Sequence, residues 1–295
     1  MNSSVTFSRF IAGTMKWGAW GSNFSTDQFG RMIKECIDAG VTTFDHADIY
    51  GDYTTEEAFG AVLKKDVAIR KQIKIITKCG IQKVSVNRPV HKIKSYNTSA
   101  KHIIASVENS LENFGTDYLD CLLLHRPDLL MDVQEVAVAF DQLKQSGKVL
   151  AFGVSNFKQS QVDLLHSVFP LKVNQIQCSI LQLEPFVDGT LDLCQQQGII
   201  PMAWSPLGGG NLFLETEDER NRRIIAVARI LSEQYNSAPD VILLNWLLLH
   251  PSNIHPVLGT TNPERIRLAQ KALNFKMTRE DWYLLWRAST GREVA

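Results

Sequence analysis

The sequence predicts one α/β domain over residues 1–295, a (β/α)8 barrel with long loops at the C-terminal rim of the strands and a C-terminal helix. Three observations predict it. Short β-rich runs alternate with helical patterns from one end of the chain to the other. The runs number eight, the strand count of such a barrel. No linker, low-complexity tract or short repeat divides the 295 residues, a length that α/β barrels reach undivided.

The strand candidates are Arg9–Met15, Thr42–Ala47, Lys74–Cys79, Asp120–His125, Ala151–Asn156, Val173–Cys178, Ile200–Ser205 and Ile254–Gly259. The segments between them carry a 3.6-residue period. Thr26 is placed to cap a helix whose Phe29, Met32, Ile33, Cys36 and Ile37 form one apolar stripe, with Gly40 ending it. Ile104, Val107, Leu111 and Phe114 repeat the pattern before Gly115. Val133, Val136, Ala137, Phe140 and Leu143 repeat it before Gly147. Strand–helix–glycine–strand units of this size require right-handed crossovers and a parallel sheet.

An open doubly wound sheet is the rival. A dinucleotide-binding one places GxGxxG after its first strand. The first strand here leads into GTMKWGAWG, and Gly208-Gly209-Gly210 lacks the third spaced glycine because Phe213 stands there. The barrel is therefore preferred. Two connections are long for barrel loops, Gly80–Asn97 and Gly208–Asn221, and both follow strand ends at the C-terminal rim. From Met277 a last helix carries Trp282, Leu285 and Trp286.

Composition narrows the function classes. Thirty-one basic and 31 acidic residues cancel, which gives no electrostatic case for nucleic acid or an acidic membrane. The apolar run Val241–Leu249 is too short to span a bilayer, and the start MNSSVTFSRF lacks the features of a signal peptide. Cys36, Cys79, Cys121, Cys178 and Cys194 are odd in number and widely spaced, the pattern of reduced thiols in a cytoplasmic protein.

Chemistry concentrates at strand ends. Asp45 closes the second strand in TTFDHADIYG, with Tyr50 five residues on; Lys78 closes the third in IITKCG, and His125 the fourth in LLLHRP. A charge at the tip of an apolar strand is costly unless paired, and Asp45 and Lys78 lie on adjacent strands. A tyrosine hydroxyl titrates near ~10 alone, and a neighbouring ammonium lowers that value. Tyr50 beside Lys78 is thus expected to donate a proton near neutral pH, with a neutral His125 orienting a carbonyl oxygen. Taken singly, a buried Asp–Lys pair is more often structural than catalytic, and a strand-end His is more often a core or loop residue than a ligand. Four such residues on consecutive strand ends favour catalysis. A metal at Asp45, His46 and Asp48 is disfavoured, since adjacent strand residues face opposite ways and Lys78 repels a cation.

With these residues the sequence resembles the aldo-keto reductases over nearly its whole length. DHADIYG matches the family's Asp-x4-Tyr signature, and Lys78 and His125 fall where its catalytic tetrad is completed. The resemblance implies an NADPH-dependent reductase of aldehydes or ketones in which Tyr50 is the general acid, Lys78 and Asp45 tune it, and His125 positions the substrate. It implies further that Ser155 and Asn156 in GVSNF, with Gln175, hold the nicotinamide carboxamide. Trp204 is expected to stack on the nicotinamide ring, and Ser205, Leu207 and Gly208 to begin the loop over the pyrophosphate. In VLGTTNPERI, Thr260 and Arg265 are implied in gripping the 2′-phosphate of NADP(H), at the start of a helix capped by Asn262.

The chain departs from well-known branches at Gly259, where many members have lysine, and at Leu268 and Ala269, which replace a Glu-Asn pair that contacts adenine. NAD(H) use therefore stays open beside NADP(H). Trp17 and Trp20 are placed to wall the pocket for a small carbonyl substrate, or else to pack. Only Ser289–Ala295 follow the last helix, so the pocket is expected to be open. The alternative function is a cofactor-binding redox sensor on the same scaffold, as the potassium-channel β subunits are.

Overall fold

The strands are β1 (Ile11–Gly13), β2 (Thr43–Asp45), β3 (Lys74–Cys79), β4 (Cys121–Leu124), β5 (Phe152–Ser155), β6 (Val173–Gln177), β7 (Ile200–Trp204) and β8 (His255–Leu258) in a computed structural model that describes residues 5–214 and 217–295. Each pairs in parallel with the next, and β8 pairs with β1, so the sheet closes into the predicted barrel. The first four residues of the amino-terminal stretch, and residues 215–216 of the loop after β7, lie outside the described residues.

Seven of the eight strands are shorter than the sequence runs that predicted them, and the lost residues lie mainly where the chain leaves the sheet. Asn156 (φ 59°) and Ser205 (φ 51°), next after β5 and β7, adopt left-handed backbone and turn the chain out of its ladder. Most of the residues that drop out of the ladders, His125, Asn156 and Ser205 among them, therefore stand at the C-terminal rim.

Ile11, Ile76, Cys121, Leu123, Val173, Met202 and Val257 point inward and fill the barrel. They plug the interior of the barrel below the rim. Between sheet and helices lies the larger apolar layer, which includes Phe29, Phe44, Phe59, Phe114, Phe140 and Phe152.

Helix ends follow the expected chemistry with one correction. The helix Thr26–Asp38 is capped by Ser25, whose hydroxyl accepts from the Gln28 amide while the Gln28 side chain accepts from the Ser25 amide. This capping box outcompetes Thr26, which becomes the first helical residue. The helices Ala100–Phe114 and Val133–Gln145 occur where the apolar period places them, and Gly115 ends the first in left-handed backbone. The loop Gly80–Asn97 contains a small hairpin, Ile81–Gln82 with Ser95–Tyr96. The last helix, Arg279–Thr290, docks through Trp282, which stacks on Trp246 at 4.8 Å; each of the two indole N–H groups donates to the other residue's carbonyl. No helix among the described residues is long and apolar enough to cross a membrane.

Candidate active site

β2, β3 and β4 bring Asp45, Lys78 and His125 to one rim, and the loop after β2 folds Tyr50 over them. The Lys78 side chain is wholly buried. Its ammonium donates to Asp45 (2.8 Å), to the His46 carbonyl (2.7 Å) and to the Tyr50 hydroxyl (3.1 Å). An ammonium has three N–H donors, so each of them is used. The other face of the Asp45 carboxylate accepts from Gln175 Nε2 at 2.8 Å, reaching across the barrel mouth from β6. A buried charge is tolerable only when paired and hydrogen-bonded, and this ring of contacts meets both conditions.

The Tyr50 ring meets the edge of His125 at 6.0 Å between centroids and Trp20 at 6.1 Å. His125 is buried, and its Nδ1 has no hydrogen-bond partner among the described residues. Burial, and then the Lys78, Arg126 and Lys94 charges, hold its imidazole well below the usual histidine range, so it is neutral. For Tyr50 the balance differs from the sequence expectation. Burial raises its hydroxyl above the ordinary tyrosine value; the Lys78 ammonium opposes this without reversing it, and Asp45 adds to the rise. Lys78 remains charged, since Asp45 and Tyr50 outweigh the burial that would neutralise it. Tyr50 is thus a protonated phenol at neutral pH, held against a permanent cation.

On the far side of the mouth, Asn156 Nδ2 donates to Ser155 Oγ (2.8 Å) and the Trp204 indole donates to Asn156 Oδ1 (3.0 Å). These contacts tie the ends of β5 and β7 together. Gln175 belongs to this side by sequence but bonds Asp45, so it bridges both halves. Ser205 turns the chain, its carbonyl accepting from the Gly208 amide at 2.9 Å, and half-buried Leu207 packs on the core. Gly208, Gly209 and Gly210 all have positive φ. A Cβ at Gly208 would meet Leu181 at 2.6 Å, whereas nothing lies within 4 Å of one at Gly209 or Gly210.

The helix Pro263–Gln270 begins as predicted, with Asn262 Oδ1 accepting from the Glu264 amide. Thr260 Oγ1 accepts from the Asn262 amide (3.1 Å). Arg265 is exposed and makes no side-chain bond to a described residue, unlike Arg267, which pairs with Glu35 and Glu264. Gly259 is exposed, while Leu268 is half-buried and Ala269 is 3% exposed, so both of the latter face the core.

Of the two tryptophans expected at the pocket wall, Trp20 stands beside Tyr50 and Trp17 lies elsewhere. Trp17 is 0% exposed and sits among Phe24, Phe29 and Phe44, its indole N–H on the Thr260 carbonyl at 3.3 Å. Its apolar area is better buried under the first helix than left at a wet rim, and it is a packing residue. His46 likewise points away from Asp45, into an edge contact with Phe59 and Phe114. Among the described residues no group of three His, Cys, Asp or Glu side chains is placed to hold a metal.

Sequence reasoning missed two residues. Glu56, 2% exposed behind the rim, accepts from Thr77, Ser110 and Asn113 and so fastens two helices to β3. Nothing in its local sequence marks it, because its partners are distant in the chain. Arg126 follows His125 directly and is half-buried at the rim. Its place beside a strand-end histidine was the available signal.

Asp45, Lys78 and His125 on the rims of consecutive strands, with Tyr50 folded over them, form the set that the resemblance to a class of hydride-transfer barrel enzymes implies. Comparison assigns the chain within it. The family model described as Aldo/keto reductase family matches residues 9–288. An uncharacterized oxidoreductase, YcsN of Bacillus subtilis (strain 168), is 47% identical over 292 residues, covering 98% of this chain and 97% of its own length. A 6-dehydroglucose reductase of Agrobacterium fabrum is 42% identical over 297 residues, covering 100% and 98%. The solved structure of the thermostable aldo-keto reductase Tm1743 with the inhibitor epalrestat superposes with a TM-score of 0.80 at 25% identity, covering 97% of each chain. The chain belongs to the aldo/keto reductase family and is an NAD(P)H-dependent oxidoreductase.

Proposed function

We propose that the protein reduces aldehydes to alcohols with Tyr50 as proton donor, NADPH as preferred reductant, and polar, sugar-derived aldehydes as the substrate class. One observation carries the reading: the Lys78 ammonium is saturated by Asp45, the His46 carbonyl and the Tyr50 hydroxyl. That geometry fixes a phenol at the mouth of a plugged barrel and gives it a cation at 3.1 Å to stabilise the anion it becomes. The 6-dehydroglucose reductase that covers the whole chain supports the substrate class.

The residues present suit a nicotinamide cofactor. Asn156 and Ser155 offer amide and hydroxyl groups for a carboxamide, Trp204 a flat ring, and Gly209 and Gly210 backbone that no Cβ obstructs. Ser205, Leu207 and Gly208 shape the start of that loop, and Thr260 with Arg265 would meet the 2′-phosphate at the helix start. Gln175 would serve the carboxamide through Asp45's neighbourhood while holding Asp45 in place. Bound, a reduced nicotinamide supplies the hydride that attacks the carbonyl carbon. Tyr50 gives its proton to the carbonyl oxygen as that bond forms, and His125, neutral and with Nδ1 unpartnered among the described residues, orients the oxygen. The phenolate left on Tyr50 is held by Lys78 until solvent reprotonates it. Five unpaired, buried cysteines fit a reducing compartment such as the cytoplasm.

Turnover tests the reading. Protein saturated with NADPH is mixed with a panel of aldehydes and loss of NADPH absorbance is followed. Oxidation that depends on aldehyde is expected. Tight cofactor binding with no turnover on any aldehyde would replace the reductase by a cofactor-binding sensor.

A further inference from the structure

We propose that Arg126 is a substrate-binding residue, selecting carbonyl compounds that carry an oxygen acceptor, a hydroxyl or a carboxylate, close to the reacting carbon. The inference rests on the reductase reading and adds the group that sorts its substrates.

Arg126 sits at the tip of β4 directly after His125, half-buried at the barrel mouth. Its hydrogen bonds to described residues all leave from one nitrogen: NH1 donates to the His125 carbonyl (2.6 Å) and, at a long 3.4 Å, to Ser155 Oγ. Nε and NH2 bond no described residue, and no carboxylate among the described residues pairs with the guanidinium. Arg70 shows what a settled arginine looks like in this chain. Its Nε, NH1 and NH2 reach Thr116, the Ile73 and Tyr118 carbonyls and the Asp120 carboxylate. A guanidinium is a rigid fork whose free N–H groups lie in one plane, which suits paired oxygen acceptors.

The neighbours place that fork at the reacting end of the pocket. Arg126 is close enough to Tyr50 to help lower its hydroxyl against burial, and close enough to His125 to help keep it neutral. Lys94, on the loop that carries the small hairpin, adds a second cation on the His125 side. The carboxylate of Asp45 cannot balance them, since Lys78 and Gln175 already occupy it. An apolar aldehyde seated here would strip water from Arg126 and return nothing, whereas one with an oxygen acceptor within a few bonds of the carbonyl would complete the fork. Sites built around a hydrogen-bonding group reject analogues that lack its partner far better than apolar pockets reject one methylene.

The test compares kcat/KM of wild type, Arg126→Met and Arg126→Lys for glyceraldehyde, succinic semialdehyde and butanal. Arg126→Met should lower kcat/KM for an acceptor-bearing aldehyde about ten- to a hundredfold more than for butanal, chiefly through KM. Arg126→Lys should recover part of that loss with the semialdehyde. The aldehyde that loses more identifies the acceptor. Equal losses on all three, or a fall in NADPH affinity that accounts for the lost rate, would overturn the proposal. Should wild type reduce no aldehyde, the reductase reading fails separately, and glycerate binding to the NADPH-saturated protein decides about Arg126. A thermal shift present in wild type and absent in Arg126→Met supports it; the same shift in both, or in neither, overturns it.

Discussion

The two ends of the proposed site are built on opposite principles. At the Tyr50 end, Lys78 and Asp45 are buried and tied to each other, to Tyr50, to Gln175 and to backbone. At the Arg265 end, one exposed guanidinium without a described side-chain partner stands near an exposed Gly259 on a capped helix. The buried end fixes positions, because any displacement would strand a charge in an apolar surround. On the proposed cofactor reading, the exposed end fixes only a neighbourhood and leaves the final geometry to the 2′-phosphate. Substitutions at the first should therefore damage rate or fold, and at the second only affinity.

The sharpest way to break this contrast is Tyr50→Phe, which removes one oxygen and keeps the ring against His125 and Trp20. Loss of a positioned general acid costs about 10²–10⁴ in rate. Aldehyde reduction should fall by that factor while NADPH still quenches the protein's fluorescence as in wild type. Retention of near-full kcat with unchanged pH dependence would move the proton to His125 or to water.

Lys78→Met tests the same end through stability. It leaves the Asp45 carboxylate buried with Gln175 as its remaining side-chain partner. Breaking a buried pair on one side costs about 3–5 kcal/mol, which equilibrium denaturation would read. The pH profile gives a second signature. In wild type Lys78 pulls the Tyr50 hydroxyl down against burial, so its loss lets the hydroxyl rise further. Alcohol oxidation, which needs the phenolate, should then suffer more at neutral pH than aldehyde reduction, which needs the phenol. Equal losses in both directions would show that Lys78 does not tune Tyr50.

At the exposed end, Arg265→Ala should weaken NADPH about ten- to a hundredfold while sparing NADH, the size of one charge-assisted contact. Titrating both cofactors separates them. Matched losses would remove Arg265 from the 2′-phosphate.

The smallest effect concerns the fold's response to acid. Burial is the leading cause holding His46, His125 and His255 below the usual histidine range, the last at about 4. In the unfolded chain each takes up a proton near pH ~6.5, so there the unfolded state binds more protons and stability falls as pH drops below that point. Thermal melts at pH 7 and pH 5.5 should show a lower Tm at the lower pH. His46→Phe should narrow the gap; an unchanged gap would place the acid sensitivity elsewhere.

Legibility followed the same division. The barrel was readable because its eight strands, and the helices before Gly40, Gly115 and Gly147, announce themselves locally, by β-rich runs, by apolar period and by glycine near helix ends. Asp45, Tyr50, Lys78 and His125 were readable because barrel topology turns strand-end positions into neighbours. The sign of the Tyr50 shift was not, since it depends on how much burial surrounds the hydroxyl, a quantity no spacing encodes. Trp17 and Trp20 are three residues apart in one loop, and only packing decides that the first goes under the helix and the second stays beside Tyr50. Glu56 and Ser110 meet across 54 positions, and no local pattern links them.

The five cysteines have a consequence outside catalysis. All are buried and unpaired, and burial raises every one of their thiols, Cys36 and Cys194 to about 12. Electrophiles attack the thiolate, so the folded protein offers them almost no target. Even Cys79, next to Lys78 in sequence, is sealed from whatever reactive aldehyde occupies the mouth. Alkylation then requires the chain to open first, and its rate becomes a clock for that opening. In a mass spectrum the adducts should arrive together, as molecules carrying none and molecules carrying all five, with few in between.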